Sequence, residues 1–148
     1  GCASQGNFPS LAKRPFESAP TAPEPAPSAP PASDPALRQR IEGHLKSAQA
    51  ASVLFDRDAA AVQSAVAASG PRGSESWINA ELMVSRLETR LAPARDALSG
   101  LDDERRLMLA GAHPDDLAFL ESSIAAAERI DARQSEQVQQ LLGRLNRR

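Results

Sequence analysis

The sequence predicts an all-α protein: an up-down-up three-helix bundle, or antiparallel coiled coil, preceded by a disordered Pro/Ala-rich linker. Three observations predict it. Residues 35–70, 74–110 and 114–147 are nearly equal in length, and each carries apolar side chains at alternating spacings of three and four. They are separated by Gly70-Pro71-Arg72-Gly73 and Gly111-Ala112-His113-Pro114, both turn signals. Ahead of them, Ser18 to Ser33 reads SAPTAPEPAPSAPPAS, with six prolines and no large apolar side chain. Proline fixes φ and removes backbone donors, so neither helix nor sheet persists there. The expected state is polyproline II, a semi-rigid spacer of roughly 50 Å at about 3.1 Å per residue.

The first helix is expected to open at Ser33-Asp34-Pro35, a capping side chain followed by Pro at the first helical position. Its seam runs Leu45, Ala48, Ser52, Phe55, Ala59, Val62 and Val66. The second opens at Ser74-Glu75-Ser76, with a seam of Trp77, Ala80, Val84, Leu87, Leu91, Ala94, Leu98 and Leu101. Pro93 falls inside it and removes the hydrogen bond to the Thr89 carbonyl, so a kink is expected, with a second weak point at Ser99-Gly100. The helix either continues bent to about Ala110 or breaks near Gly100. The third opens at Pro114-Asp115-Asp116, where negative charge suits a helix start, and ends among Arg144, Arg147 and Arg148. Its seam is Leu117, Leu120, Ile124, Ala127, Gln134, Val138, Leu141 and Leu145, with Ile130 beside it. At about 1.5 Å per residue each helix spans roughly 50 Å. The chain thus divides into residues 1–17, a linker at 18–33 and a bundle at 34–148.

Composition narrows the function classes. Net charge is −2 and only 3% of residues are aromatic, so neither a basic field nor a stacking platform for nucleic acid is expected. No apolar run approaches the roughly 18 residues a spanning helix needs. The histidines are His44 and His113, read as a solvated side chain on the flank of helix one and a helix cap. A nucleophile–base pair and a metal ligand set both need more than this, so no catalytic residue, metal or cofactor is expected. Asp102-Asp103-Glu104 and Asp115-Asp116 read as charges at helix starts, because adjacent helical residues diverge by about 100° and do not converge on a substrate.

Two features near the N-terminus point to binding. Asn7 to Glu17 reads NFPSLAKRPFE, with Phe8, Leu11 and Phe16 in a stretch too short and proline-broken to build a core. Large apolar side chains there gain nothing unless something else buries them. Phe8, Pro9, Leu11 and Phe16 would anchor in grooves of a partner while Lys13 and Arg14 meet acidic groups; the alternative is that the Phe residues dip into a bilayer interface. The other feature is Cys2, the one cysteine, which follows Gly1 and precedes Ala3-Ser4-Gln5-Gly6.

Gly1-Cys2-Ala3 resembles the lipobox of bacterial lipoproteins. Together with NFPSLAKRPFE and Ser74-Glu75-Ser76-Trp77, it resembles small helical envelope lipoproteins of Gram-negative bacteria. The resemblance implies acyl chains on Cys2, two or more of which anchor stably in a bilayer without spanning it. Ala3 in place of Asp implies the outer membrane, with the body probing the periplasm. It brings no activity with it. The function expected is therefore non-enzymatic: an accessory subunit that binds an outer-membrane protein, such as a β-barrel transporter or assembly machine. The alternative is a structural spacer of the envelope that self-associates through its Ala-rich seams.

Overall fold

A computed structural model describes residues 32–148. Cys2, the 7–17 segment and residues 18–31 of the linker lie outside the described residues. The described chain is helical: α1 (Pro35–Ala67), α2 (Glu75–Glu88), a 3₁₀ turn (Thr89–Leu91), α3 (Ala92–Leu107), a second 3₁₀ turn (Met108–Ala110) and α4 (Pro114–Asn146). The helix α1, the interrupted α2–α3 arm and α4 form the three legs of the bundle.

Each start carries the expected cap. The Asp34 carboxylate accepts from the backbone N–H groups of Ala36 and Leu37, and the Ser74 hydroxyl from that of Trp77. The His113 Nδ1 accepts from the Asp115 N–H at 3.1 Å, so this histidine is a helix cap. Gly73 has φ +86° and Gly111 φ +119°, conformations that side-chain-bearing residues rarely adopt, and both glycines sit in the turns that reverse the chain.

The second arm changes helix type one turn ahead of Pro93. Thr89–Leu91 tightens to a 3₁₀ turn and Pro93 occupies the first turn of α3, where a missing N–H costs least. The Thr89 hydroxyl donates to the Arg86 carbonyl at 2.6 Å, closing the end of α2. Gly100 is no break: α3 runs through it to Leu107. A Cβ there would lie 2.3 Å from His44 Cε1, so the glycine lets the imidazole lie against the α3 backbone. His44 is thus half-buried between α1 and α3 rather than solvated.

The core has two apolar compartments. One gathers Phe55, Ala59, Val62, Val66, Trp77, Val84, Leu87, Leu91, Val138, Leu141 and Leu145, with Ala80. The other gathers Leu37, Ile41, Leu101, Met108, Leu120, Ile124 and Ala127. Buried Ala48, Ala94 and Ala97 belong to neither, and they mark a narrow waist where the helices approach without large side chains. Gln134 lies along α4 between Ala127 of one compartment and Val138 of the other. It is fully buried, and neither of its amide atoms has a hydrogen-bond partner among the described residues. Leu117 departs from the expected seam: it is exposed, and the neighbouring Asp116 is buried in its place. Leu45, Ser52, Leu98 and Ile130 are half-buried on the edges of the seams.

Polar straps across the bundle give the relative direction of the helices. Asp116 meets Arg38 at one end, Arg133 meets Asp56 further along, and Arg148 donates to the Ala67 carbonyl at the other. Those pairs advance together along both chains, so α1 and α4 run parallel and α2–α3 runs against them.

Candidate functional site

Two places in the fold are built beyond what packing requires. The first is the junction at which the linker joins the bundle. The Asp116 carboxylate, 1% exposed as a residue, accepts from the Ser33 hydroxyl, the Asp34 backbone N–H and the Arg38 Nε, each at 2.9 Å. The Asp34 backbone bond, then the Arg38 guanidinium and the Ser33 hydroxyl, hold this carboxyl below the usual carboxylate range against the opposing effect of desolvation. Arg38 also lies over the Phe119 ring, 5.0 Å from its centroid. Two residues further along α1, Arg40 grips buried Glu104 through two bonds of 2.8 and 3.2 Å. The paired geometry is the kind that gives an arginine–carboxylate bond direction as well as strength. A cleft of about 260 Å³ runs between these pairs, lined in part by Asp34, Leu37, Leu107, Met108, His113 and Asp116.

This geometry corrects one expectation. Asp115 and Asp116 do stand in the first turn of α4, but Asp102-Asp103-Glu104 lies in the C-terminal half of α3. Asp102 and Asp103 pair with Arg105 and Arg106 on the same helix, while Glu104 turns inward to Arg40. The acidic run therefore serves two local pairs and one cross-helix strap, not a helix start.

The second place is a groove of about 420 Å³ between α1 and α2. Its apolar surface comes from Ala61, Val62, Met83 and Leu87, and its polar rim from Asp58, Arg86, Thr89 and Arg90. Leu54 lies on the α1 stripe that contains Asp58 and Ala61, since residues spaced by four and seven share a face. Asp58 accepts from Arg57 on its own helix and from Arg90 across the groove, at 3.1 and 2.8 Å. The Arg57 bond foremost, with Arg90 beside it, holds the Asp58 carboxyl below its ordinary value. Arg86 has no carboxylate partner among the described residues. Exposed Ile78 and Leu82 continue the apolar surface over the back of α2.

Sequence-level candidates fare unevenly. Cys2, Phe8, Pro9, Leu11, Lys13, Arg14 and Phe16 lie outside the described residues. Arg38 and Arg40 carry no local signal, and Glu104 and Asp116 read in sequence only as helix-start charges, because the partners of all four are far away along the chain. A local signal did exist for the groove: Leu54, Ile78 and Leu82 are apolar residues off the three-and-four seams. Among the described residues no three His, Cys, Asp or Glu side chains are grouped to hold a metal ion, and no helix is long and apolar enough to cross a membrane. The chain matches no family model, no curated protein and no solved structure.

Proposed function

We propose that this chain is a non-enzymatic interaction subunit of the bacterial envelope. Acyl chains on Cys2 hold it at the outer membrane, and the 7–17 segment docks on a membrane-embedded protein such as a β-barrel transporter or assembly machine. The helical body stands on the linker and faces the periplasm. The observation that favours this reading is the junction at Ser33 and Asp34. The buried Asp116 carboxylate on the far helix accepts from the Ser33 hydroxyl and the Asp34 N–H, so the residues leading into α1 are fastened where a tether would arrive. A free-standing bundle gains little from fixing its incoming strand, whereas a tethered one gains a defined orientation.

Replacing Phe8, Leu11 and Phe16 together with Ala tests the docking. The partner recovered with the native protein in mild detergent should be lost while the helical signal of the bundle is unchanged. Undiminished association would remove the 7–17 segment from the interface. The scaffold reading draws support from exposed Val53, Leu54, Ile78 and Leu82, which a second copy could cover. Light scattering separates the two: the accessory subunit is a monomer when its partner is absent, and the scaffold is not.

A further inference from the structure

Most faces of the bundle are strapped. The α1–α4 face is crossed by Arg38–Asp116, by Arg133 to Asp56 and Ser52, and by Arg148 to Ala67. The α3–α4 face is crossed by Arg95 to Asp131 and Ser135 and by Arg105–Glu121. On the α1–α2 face the only ion pair among the described residues is Arg90–Asp58, at one end of the groove. From there toward the Gly70–Gly73 turn the groove lies open.

Its charge is unbalanced. Arg86 and Arg90 stand on the rim, with Arg57 beside it, against the carboxylate of Asp58, which already accepts from Arg57 and Arg90. Below the rim, the walls are small or flexible: Ala61 and half-buried Ala65 on α1, Met83 on α2. Small side chains permit close approach of a further helix, and Met adapts to whatever side chains arrive. Leu54, 42% exposed, lies on α1 one turn beyond Asp58, and Leu82, 48% exposed, lies one turn from Arg86 on the outer edge of α2.

We infer that this groove receives an acidic amphipathic helix of a partner protein. Such a helix laid along α1 and α2 makes a local four-helix arrangement, with its apolar face on Ala61, Met83 and Leu82 and its carboxylates toward Arg86 and Arg57. The stretch from Ile78 to Arg90 measures roughly 18 Å at about 1.5 Å per residue, some three to four turns of an incoming helix. A second copy using the same groove is disfavoured, because two-fold pairing sets arginines of one copy against those of the other. The inference deepens the interaction reading above and rests on it only in that the chain binds a protein. It involves neither Cys2 nor the 7–17 segment.

The test uses the full 148-residue chain and two fluorescent peptides of about 18 residues, a length that spans the groove. One is an amphipathic Leu/Ala/Glu helix, and the other has every Glu replaced by Lys. The acidic peptide should bind in a salt-sensitive manner and its basic counterpart at least about tenfold more weakly. Arg86→Glu should weaken acidic-peptide binding about tenfold, and Leu82→Ser several-fold, while Arg144→Gln on the far end of α4 leaves it unchanged. Arg86 and Leu82 are exposed, so circular dichroism and Trp77 emission should report an intact fold in each variant. Equal binding of the two peptides, or indifference to Arg86→Glu, overturns the inference. Displacement of the acidic peptide by phosphatidylglycerol vesicles through the same arginines overturns it in favour of a lipid surface. Loss of docking by the 7–17 segment leaves these peptide results untouched, so the two readings fail separately.

Discussion

Gln134 offers the sharpest test of the packing argument. It is completely buried in the seam of α4, and both its amide nitrogen and its carbonyl oxygen lack partners among the described residues. Leaving a buried polar group unpaired costs about 1–3 kcal/mol. Taking the low end for each of two atoms gives about 2 kcal/mol that the native state forfeits at this position. Gln134→Leu removes both atoms and keeps nearly the same volume, at a repacking cost of less than about 1.5 kcal/mol. The net expectation is a gain of about 1 kcal/mol, and a melting temperature higher by roughly 4 °C for a body of this size. Gln134→Ala is the companion variant: it also removes the amide but opens a void beside Val138 and Ala127, and should lose stability by about 1 kcal/mol. Urea and thermal unfolding followed by far-ultraviolet circular dichroism measure both. A Gln134→Leu protein less stable than wild type by more than about 1 kcal/mol would refute the reasoning, since it would mean the amide is engaged in the native state.

Other perturbations bear on separate parts of the fold. Gly100→Ala should cost about 1–3 kcal/mol because its Cβ meets the His44 ring; adding His44→Ala should recover most of that loss, and a double-mutant cycle of urea midpoints measures the coupling. Asp116 is depressed in the folded state, so the stability it contributes is complete above its ordinary value of about 4 and is lost as pH falls through the lower folded value. Acid unfolding curves should therefore show a shallower fall below about pH 4 for Asp116→Asn than for wild type. Trp77 donates from its indole nitrogen to the Leu145 carbonyl at 3.1 Å, and Trp77→Phe should lower stability by about 1–2 kcal/mol, read from thermal unfolding by circular dichroism.

The helical plan was legible because it is written in local terms. Asp34-Pro35, Ser74 and His113-Pro114 each cap the helix that follows them within a few residues, and the three-and-four spacing of Trp77, Ala80, Val84 and Leu87 needs no distant information. The interruption was foreseeable from Pro93, whose missing N–H leaves the Thr89 carbonyl without its helical donor, and it takes the form of a 3₁₀ turn over Thr89–Leu91. Gly100 illustrates the opposite case. In isolation it reads as a helix breaker, and only the imidazole of His44, on another helix, explains why a residue without a Cβ stands there. Asp116 and Leu117 show the same limit. A helix start attracts carboxylates whatever lies opposite, so sequence could place the charge but could not tell which of the neighbours turns inward to Ser33, Asp34 and Arg38. The groove between α1 and α2 was partly visible as off-seam leucines. Its unbalanced rim depends on Arg90 crossing to Asp58, a pairing no periodicity encodes.

The parallel course of α1 and α4 has a mechanical side. A pull on the chain at Ser33 reaches the bundle at the end where α4 begins, and Arg148 lies beside Ala67 at the opposite end. Tension between the linker and anything gripping that opposite end acts along the length of α1 and α4. It loads their interface in shear, so many side chains must slip together. A pull that peeled α1 away would break the same contacts one turn after another at far lower force. Asp116 stands where the load enters, with three hydrogen bonds arranged to share it. A body built this way holds its shape best against a pull that enters at Ser33 and runs along α1 and α4.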